Sequence, residues 1–259
     1  MGGRAIIAGS GALPGLLLEA GPARVVAFAG VPVAAEGAGR IAARFERLGA
    51  LFDDLVAAGI SQVCFAGAMG RPPLDPGALD AETAALLPRL MQAMALGDDA
   101  LLRDVAAVFE ERGFEVVPAH GLRPDLLAEA GCLAEGSLPE RDVARARAVL
   151  EALGPLDVGQ AVVAGRGQVL GIETLQGTDA MLRFVAETAP GSGGVLVKRP
   201  KAGQDLRFDM PAIGPGTVEA AARAGLAGIE IAAGGVLMLD REAVVAACAG
   251  TGLALWAAP

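Results

Sequence analysis

The only two lysines of the chain, Lys198 and Lys201, stand within four residues of each other, in a stretch that also holds Arg199, Gln204, Arg207 and Asp209 ahead of Pro211. In an acidic protein such a concentration of cations suits a diphosphate, because phosphoryl transfer depends on neutralising charge on phosphate oxygens. Asp209 beside that cluster is a candidate ligand for Mg2+, which takes one or two carboxylates and completes its shell with substrate phosphates. A solvated basic loop would use the same residues.

Three other places carry chemistry-bearing residues. Gly9, Ser10, Gly11 and Ala12 follow an apolar run and open a helix, so the backbone there can approach a phosphate while helix N–H groups point at it. The GxGxxG pattern fails at Pro14, and the acid expected about 20 residues on is missing. The loop therefore reads as a nucleotide or phosphate loop more than an NAD fingerprint, with a ligand-free turn as the plain alternative. Gly177, Thr178 and Asp179, after Gln176, begin another helix, where capping explains them and an anion or metal role stays open. Asp98 and Asp99 begin a helix that carries Arg103; the helix dipole accounts for one acid better than two, which makes them runner-up metal ligands.

Composition excludes more than it selects. With one His, no Tyr and a net charge of -9, carboxylates and arginines must carry most polar chemistry, and a sequence-independent grip on nucleic acid is unexpected. Cys64, Cys132 and Cys248 are widely spaced and form no CxxC, which fits a reducing compartment and disfavours zinc. Neither lysine lies in a Walker A context, and Ser10 lacks GxSxG surroundings. His120, in Pro118-Ala119-His120-Gly121, is a candidate general acid or base, or a loop residue. No signal peptide and no apolar run of about 18 residues is visible, so a cytoplasmic protein without a transmembrane segment is expected.

The elements that must position these residues alternate. Strands are expected at Ala5 to Ala8, Arg24 to Ala29, Gln62 to Ala66 and Phe114 to Val117, with helices at Leu13 to Ala20, Gly49 to Ala58, Ala81 to Leu96 and Asp98 to Arg112. That alternation predicts an α/β fold with a parallel sheet, a Rossmann-like domain over residues 1–132. A linker is expected at 133–140, inside the GCLAEGSLP run. Residues 141–259 then read as a mixed α/β domain. It opens with helix Arg141 to Leu153. A hairpin of Gln160 to Ala164 and Gln168 to Glu173 around Gly165-Arg166-Gly167 follows, then helix Thr178 to Glu187 and strand Gly194 to Lys198. Helix Thr217 to Ala224, a Gly234-Gly235 turn between apolar strands, and helix Asp240 to Ala249 complete the expected elements.

Taken together, GSGALP, FAGAMGRP, GDDALLRDVAAVFEERGFEVVPAH, LDVGQAVV, QGTDAMLR, the run from Lys198 to Ile229, and DREAVV resemble the LpxI-type UDP-2,3-diacylglucosamine pyrophosphatases of Gram-negative lipid A synthesis. The resemblance spans Gly9 to Val245. It implies two domains holding the substrate between them and a Mg2+-dependent hydrolase that gives UMP and 2,3-diacylglucosamine 1-phosphate (lipid X), with water attacking the β-phosphorus. It also implies an essential acid matching Asp209. On this reading Gly9, Ser10, Gly11 and Ala12 hold the UDP part, and Lys198, Lys201 and Arg103 neutralise the diphosphate. Asp209 binds the metal, while Asp98, Asp99, Gln160, Gly177, Thr178 and Asp179 complete the substrate shell. The FAGAMGRP loop departs from relatives at Ala68, which leaves Arg71 as its polar contributor. The expected partner is the UDP-sugar lipid; a homodimer and transient contact with the inner membrane surface stay open. The alternatives are an NAD(P)-dependent oxidoreductase and a UDP-sugar-binding regulator without turnover.

Overall fold

Short runs rich in Ile, Val and Ala become the strands of the first unit, because each buries side chains on both faces. The computed structural model describes residues 2–70 and 73–259. The chain divides into two compact units, one of residues 1–124 with Arg207–Asp209, the other of residues 125–206 and 210–259.

The first unit runs β1 (Gly3–Ala8), α1 (Leu13–Leu18), β2 (Arg24–Phe28), β3 (Arg40–Ala43), α2 (Leu48–Ala57), β4 (Ile60–Ala66), α3 (Ala81–Leu96), α4 (Asp98–Glu111), β5 (Glu115–Val116) and α5 (Ala119–Leu122). Its five strands lie in the order β3-β2-β1-β4-β5, and every pair is parallel. Ala5 and Ile7 of β1, with Val26, Phe28 and Val63, join Leu51, Phe52, Leu55 and Phe109 of the helices in one buried cluster. Ile6, Val25 and Cys64 alternate with them and are also fully buried, as a sheet covered on both faces requires. The Rossmann-like expectation is met. β3 was not foreseen: in Arg40-Ile41-Ala42-Ala43 only Ile is β-branched, and pairing with β2 supplies what local preference lacks.

In the second unit β6 (Gly131–Ala134), α6 (Glu140–Leu153), β7 (Ala161–Gly165), β8 (Gln168–Ile172), α7 (Gly177–Thr188) and β9 (Val195–Lys198) come first. β10 (Ala212–Ile213), α8 (Pro215–Arg223), β11 (Gly228–Ala232), β12 (Leu237–Met238), α9 (Arg241–Thr251) and β13 (Ala254–Ala258) follow. Six strands form a mixed sheet in the order β6-β13-β11-β9-β7-β8, and β10 pairs with β12 separately. β9, β11 and β13 are parallel; β7 runs against β9, β8 against β7 and β6 against β13. Leu196, Ile229, Ile231 and Leu255 bury one face with Leu182 of α7, Val218 of α8 and Val244 of α9. Val162, Val195 and Val197 bury the other with Ala146 of α6.

Besides the short β10, two strands of this unit, β6 and β13, were not anticipated. Part of the run read as a linker forms β6, an edge strand along β13, and the C-terminal Ala-rich run forms β13 itself. Both have weak local strand preference and gain their hydrogen bonds only from chain distant in sequence. The β7–β8 hairpin is as expected; Asp142 of α6, buried at 6%, accepts the N–H groups of Arg166 at 3.1 Å and Gly167 at 2.6 Å and fixes its turn.

Candidate functional site

The order of the first sheet makes a reversal point between β1 and β4. The chain moves outward from β1 through β2 to β3, then returns to β4 on the other side. Ligands of open α/β sheets bind outside the carboxyl ends of the strands at such a point. Gly9 through Ala12 leave β1 there, and Gly67 and Ala68 leave β4.

These two loops are tied to each other. Gly9 N–H donates to Ala66 O at 2.7 Å, Ser10 N–H to Ala68 O at 2.8 Å, and Ala68 N–H to Ser10 O at 2.9 Å. The Ser10 hydroxyl also reaches Ala68 O, at 3.2 Å. A Cβ on Gly9 would lie 2.4 Å from Ala68 O, so the close approach this glycine permits is to protein backbone. Gly11 differs: its φ is +100° and the space beside it is open. Ala12 caps α1 without a side-chain hydrogen bond. The Ala68 departure costs this pairing nothing, because it uses the main chain. Arg71 lies outside the described residues.

Asp98 and Asp99 do stand in the first turn of α4, and Arg103 pairs with Asp99 one turn on, Nε to Oδ2 at 2.7 Å. His120 sits in α5, beyond the end of β5, and burial pushes its imidazole below the ordinary 6.5. Asp209 belongs with this unit although the sequence places it among second-unit residues. Its segment is anchored twice: Arg207 Nη1 meets Glu110 Oε1 of α4 at 2.6 Å, and the Phe208 ring packs edge-on against Phe65 near the end of β4.

The second unit brings the other candidates together around the start of α7. Lys198 ends β9, is 7% exposed, and donates from Nζ to Thr178 Oγ1 at 2.6 Å. Thr178 in turn donates to Glu173 Oε1, which lies 3.7 Å from Lys198 Nζ. Glu173 also accepts the Gln160 N–H on Oε2 at 2.9 Å, so Gln160 enters through its backbone. Lys201 pairs with Asp157 Oδ1, and Gln204 Oε1 accepts the Lys201 N–H at 3.0 Å. Glu173 and Asp157 are partners of these candidates that sequence reasoning missed. An acid at the end of an apolar hairpin strand, five residues ahead of Thr178, was the only signal for the first; nothing local marked the second.

A cleft of about 290 Å³ opens beside this network, lined by Gly177, Thr178 and Asp179 at the start of α7 and by Gly214 and Thr217 at the start of α8. Two helix N-termini thus face one space, each presenting the positive end of its dipole, which suits an anion. Gly177 has φ +81° with no atom near a would-be Cβ, so the glycine serves both the turn and the opening. Gly214 and Thr217 were legible only as a helix start; α7 and α8 come together through folding.

Among the described residues, no three His, Cys, Asp or Glu side chains gather as a metal cage, and no helix is long and apolar enough to cross a membrane.

Comparison with known proteins agrees with this division. Residues 4–126 match the LpxI N-terminal domain and residues 130–256 the LpxI C-terminal domain. Over 215 residues the chain is 44% identical to the UDP-2,3-diacylglucosamine pyrophosphatase LpxI of Caulobacter vibrioides, covering 79% of this chain and 77% of that protein. With both family domains matched in order along nearly its whole length, this chain belongs to the LpxI family.

Proposed function

We propose that this protein hydrolyses the diphosphate bond of UDP-2,3-diacylglucosamine to UMP and 2,3-diacylglucosamine 1-phosphate in lipid A synthesis. The observation that carries this reading is the 44% identity, over most of both chains, to a relative named for that activity. Water attacks the β-phosphorus, its oxygen stays on the sugar phosphate, and the bridging oxygen leaves with UMP.

The geometry supports an anionic substrate. The cleft at the starts of α7 and α8, with the Lys198 ammonium one hydroxyl behind it, supplies positive potential with little charge exposed to water. Lys201 adds a second cation, and Asp157 holds it in place. We assign the uridine nucleotide to Gly11 and Ala12 at the reversal point of the first sheet, where Gly9 and Ser10 build the loop. Asp98, Asp99, Arg103 and Asp179 are assigned to the substrate shell.

Mg2+ fits the donor set in one form only. Without a multi-carboxylate cage among the described residues, it would be held by Asp209 and substrate phosphate oxygens, the arrangement this cation favours. When bound it would supply charge neutralisation and a more acidic water. The protein's own part is to keep the Asp209 carboxylate in position, through Arg207 and Phe208. The reaction is assigned to the cytoplasm, and a homodimer and transient contact with the inner membrane surface belong to the same proposal.

The test is incubation with UDP-2,3-diacylglucosamine and Mg2+, with UMP and lipid X detected together. Asp209→Ala is expected to fold and to lose UMP release; near-normal release by that variant would remove Asp209 from the chemistry.

A further inference from the structure

Lys198 is a buried ammonium, and burying a charge is costly unless it is paired and hydrogen-bonded. Thr178 and Glu173 are two of its partners. A threonine hydroxyl has one proton and two acceptor positions, whereas an ammonium can only donate. Since Thr178 Oγ1 receives the Lys198 Nζ proton at 2.6 Å, its own hydrogen must point to Glu173 Oε1. The order Lys198 to Thr178 to Glu173 is therefore directional. Its far end is an accepting carboxyl oxygen.

Glu173 is itself held on several sides. Gln160 N–H binds Oε2, the Glu173 N–H donates to Ala161 O at 2.8 Å, and the chain at Gly159 passes so close that a Cβ there would lie 2.1 Å from Glu173 O. A residue only 8% exposed and gripped this way can fix the rotor of a hydroxyl, and through it the direction of the remaining ammonium protons.

We infer that Glu173 is the positioning residue of Lys198, acting through the hydroxyl of Thr178. The inference rests on the proposed role of Lys198 toward the diphosphate. Glu173 touches neither substrate nor reacting atoms; it decides where the charge of Lys198 is held. The carboxylate also balances that charge at 3.7 Å, so the ammonium can be kept in a dry place until substrate arrives.

The small lysine count makes the test direct. Protein labelled with ¹³C and ¹⁵N lysine has only two side-chain signals, from Lys198 and Lys201. In Glu173→Gln, which keeps an acceptor of the same shape, and in Thr178→Val, the Lys198 signal should move toward that of a mobile lysine while the Lys201 signal stays. Thr178→Ser should restore it. In turnover assays Glu173→Gln should lower kcat about tenfold with KM moved less than about threefold, because a preorganised charge acts mainly in the transition state. The Glu173→Gln/Thr178→Val double variant should lose no more than the worse single one.

An unchanged Lys198 signal in both single variants, or fully additive kinetic losses, would overturn the inference. Should Glu173→Gln fail to fold, the Thr178→Val and Thr178→Ser spectra decide alone. The underlying functional reading fails differently: wild-type protein would release no UMP, or Lys198→Met would match wild type, whatever the spectra show.

Discussion

The Phe208 ring meets Phe65 edge-on, with centroids 6.4 Å apart and planes at 73°. This contact joins two chain segments far apart in sequence, and Asp209 is the next residue after it. Phe208→Ala is expected to cost only about 0.5–1.5 kcal/mol of stability beyond lost burial, the worth of one aromatic pair. UMP release should fall about tenfold or more, since small misplacements of a catalytic group have large effects on rate. Melting and steady-state rates on the same sample would check this, and an unaltered kcat would show that the anchor does not matter to the reaction.

Metal removal addresses Asp209 from the other side. Wild-type protein treated with EDTA should lose UMP release and regain it on titration with Mg2+. Asp209→Asn should need far more Mg2+ for any residual rate. Full activity in EDTA would take the cation out of the mechanism and leave Asp209 to be explained as an acid or base.

Gly67 is where the two loops of the first sheet cross. A Cβ there would lie 2.5 Å from Ser10 O, and φ is +90°. Gly67→Ala should destabilise by about 1–3 kcal/mol from backbone strain, plus the cost of displacing the Ser10 strand-end pairing. Gly70→Ala, three residues on with open space and no unusual φ, should be near neutral. Urea unfolding of the pair gives the comparison, and equal stabilities would contradict the close crossing.

His120 allows a clean pH experiment because it is the only histidine. Burial lowers its folded value below 6.5, so the unfolded chain takes up the proton first as pH falls. Its contribution to stability is therefore complete above about 6.5 and is lost as pH drops through the folded value. A single imidazole resonance should titrate below 6.5 in native protein, and His120→Gln should flatten the stability profile across that window. A resonance titrating above 6.5 would reverse the sign and refute the burial argument.

Much of this architecture can be read from the chain because it rests on local rules. The apolar run into Gly9 and Gly11 announces a strand entering a helix, Asp98 and Asp99 announce a helix start, and the gathering of both lysines beside Asp209 is visible without coordinates. What these residues touch is another matter. Gly9 was legible as a close-approach residue, yet the partner it approaches is Ala68, 59 positions away. β6 and β13 have compositions that favour no element strongly; β13 becomes a strand by pairing with β11 on one side and β6 on the other, and β6 by pairing with β13.

The sequence by itself determined the class of fold and the supply of chemistry: a parallel sheet from alternating apolar periods, and a cluster of cations that leads into Asp209. Only the tertiary structure decided which groups hold which. It set Glu173 behind Thr178 and Lys198, brought the starts of α7 and α8 to one cleft, and assigned Asp209 to the first unit. Hydrogen bonds and ring contacts act over a few ångströms of space, whereas periodicity and capping act over a few residues of chain, and the site is built from the former.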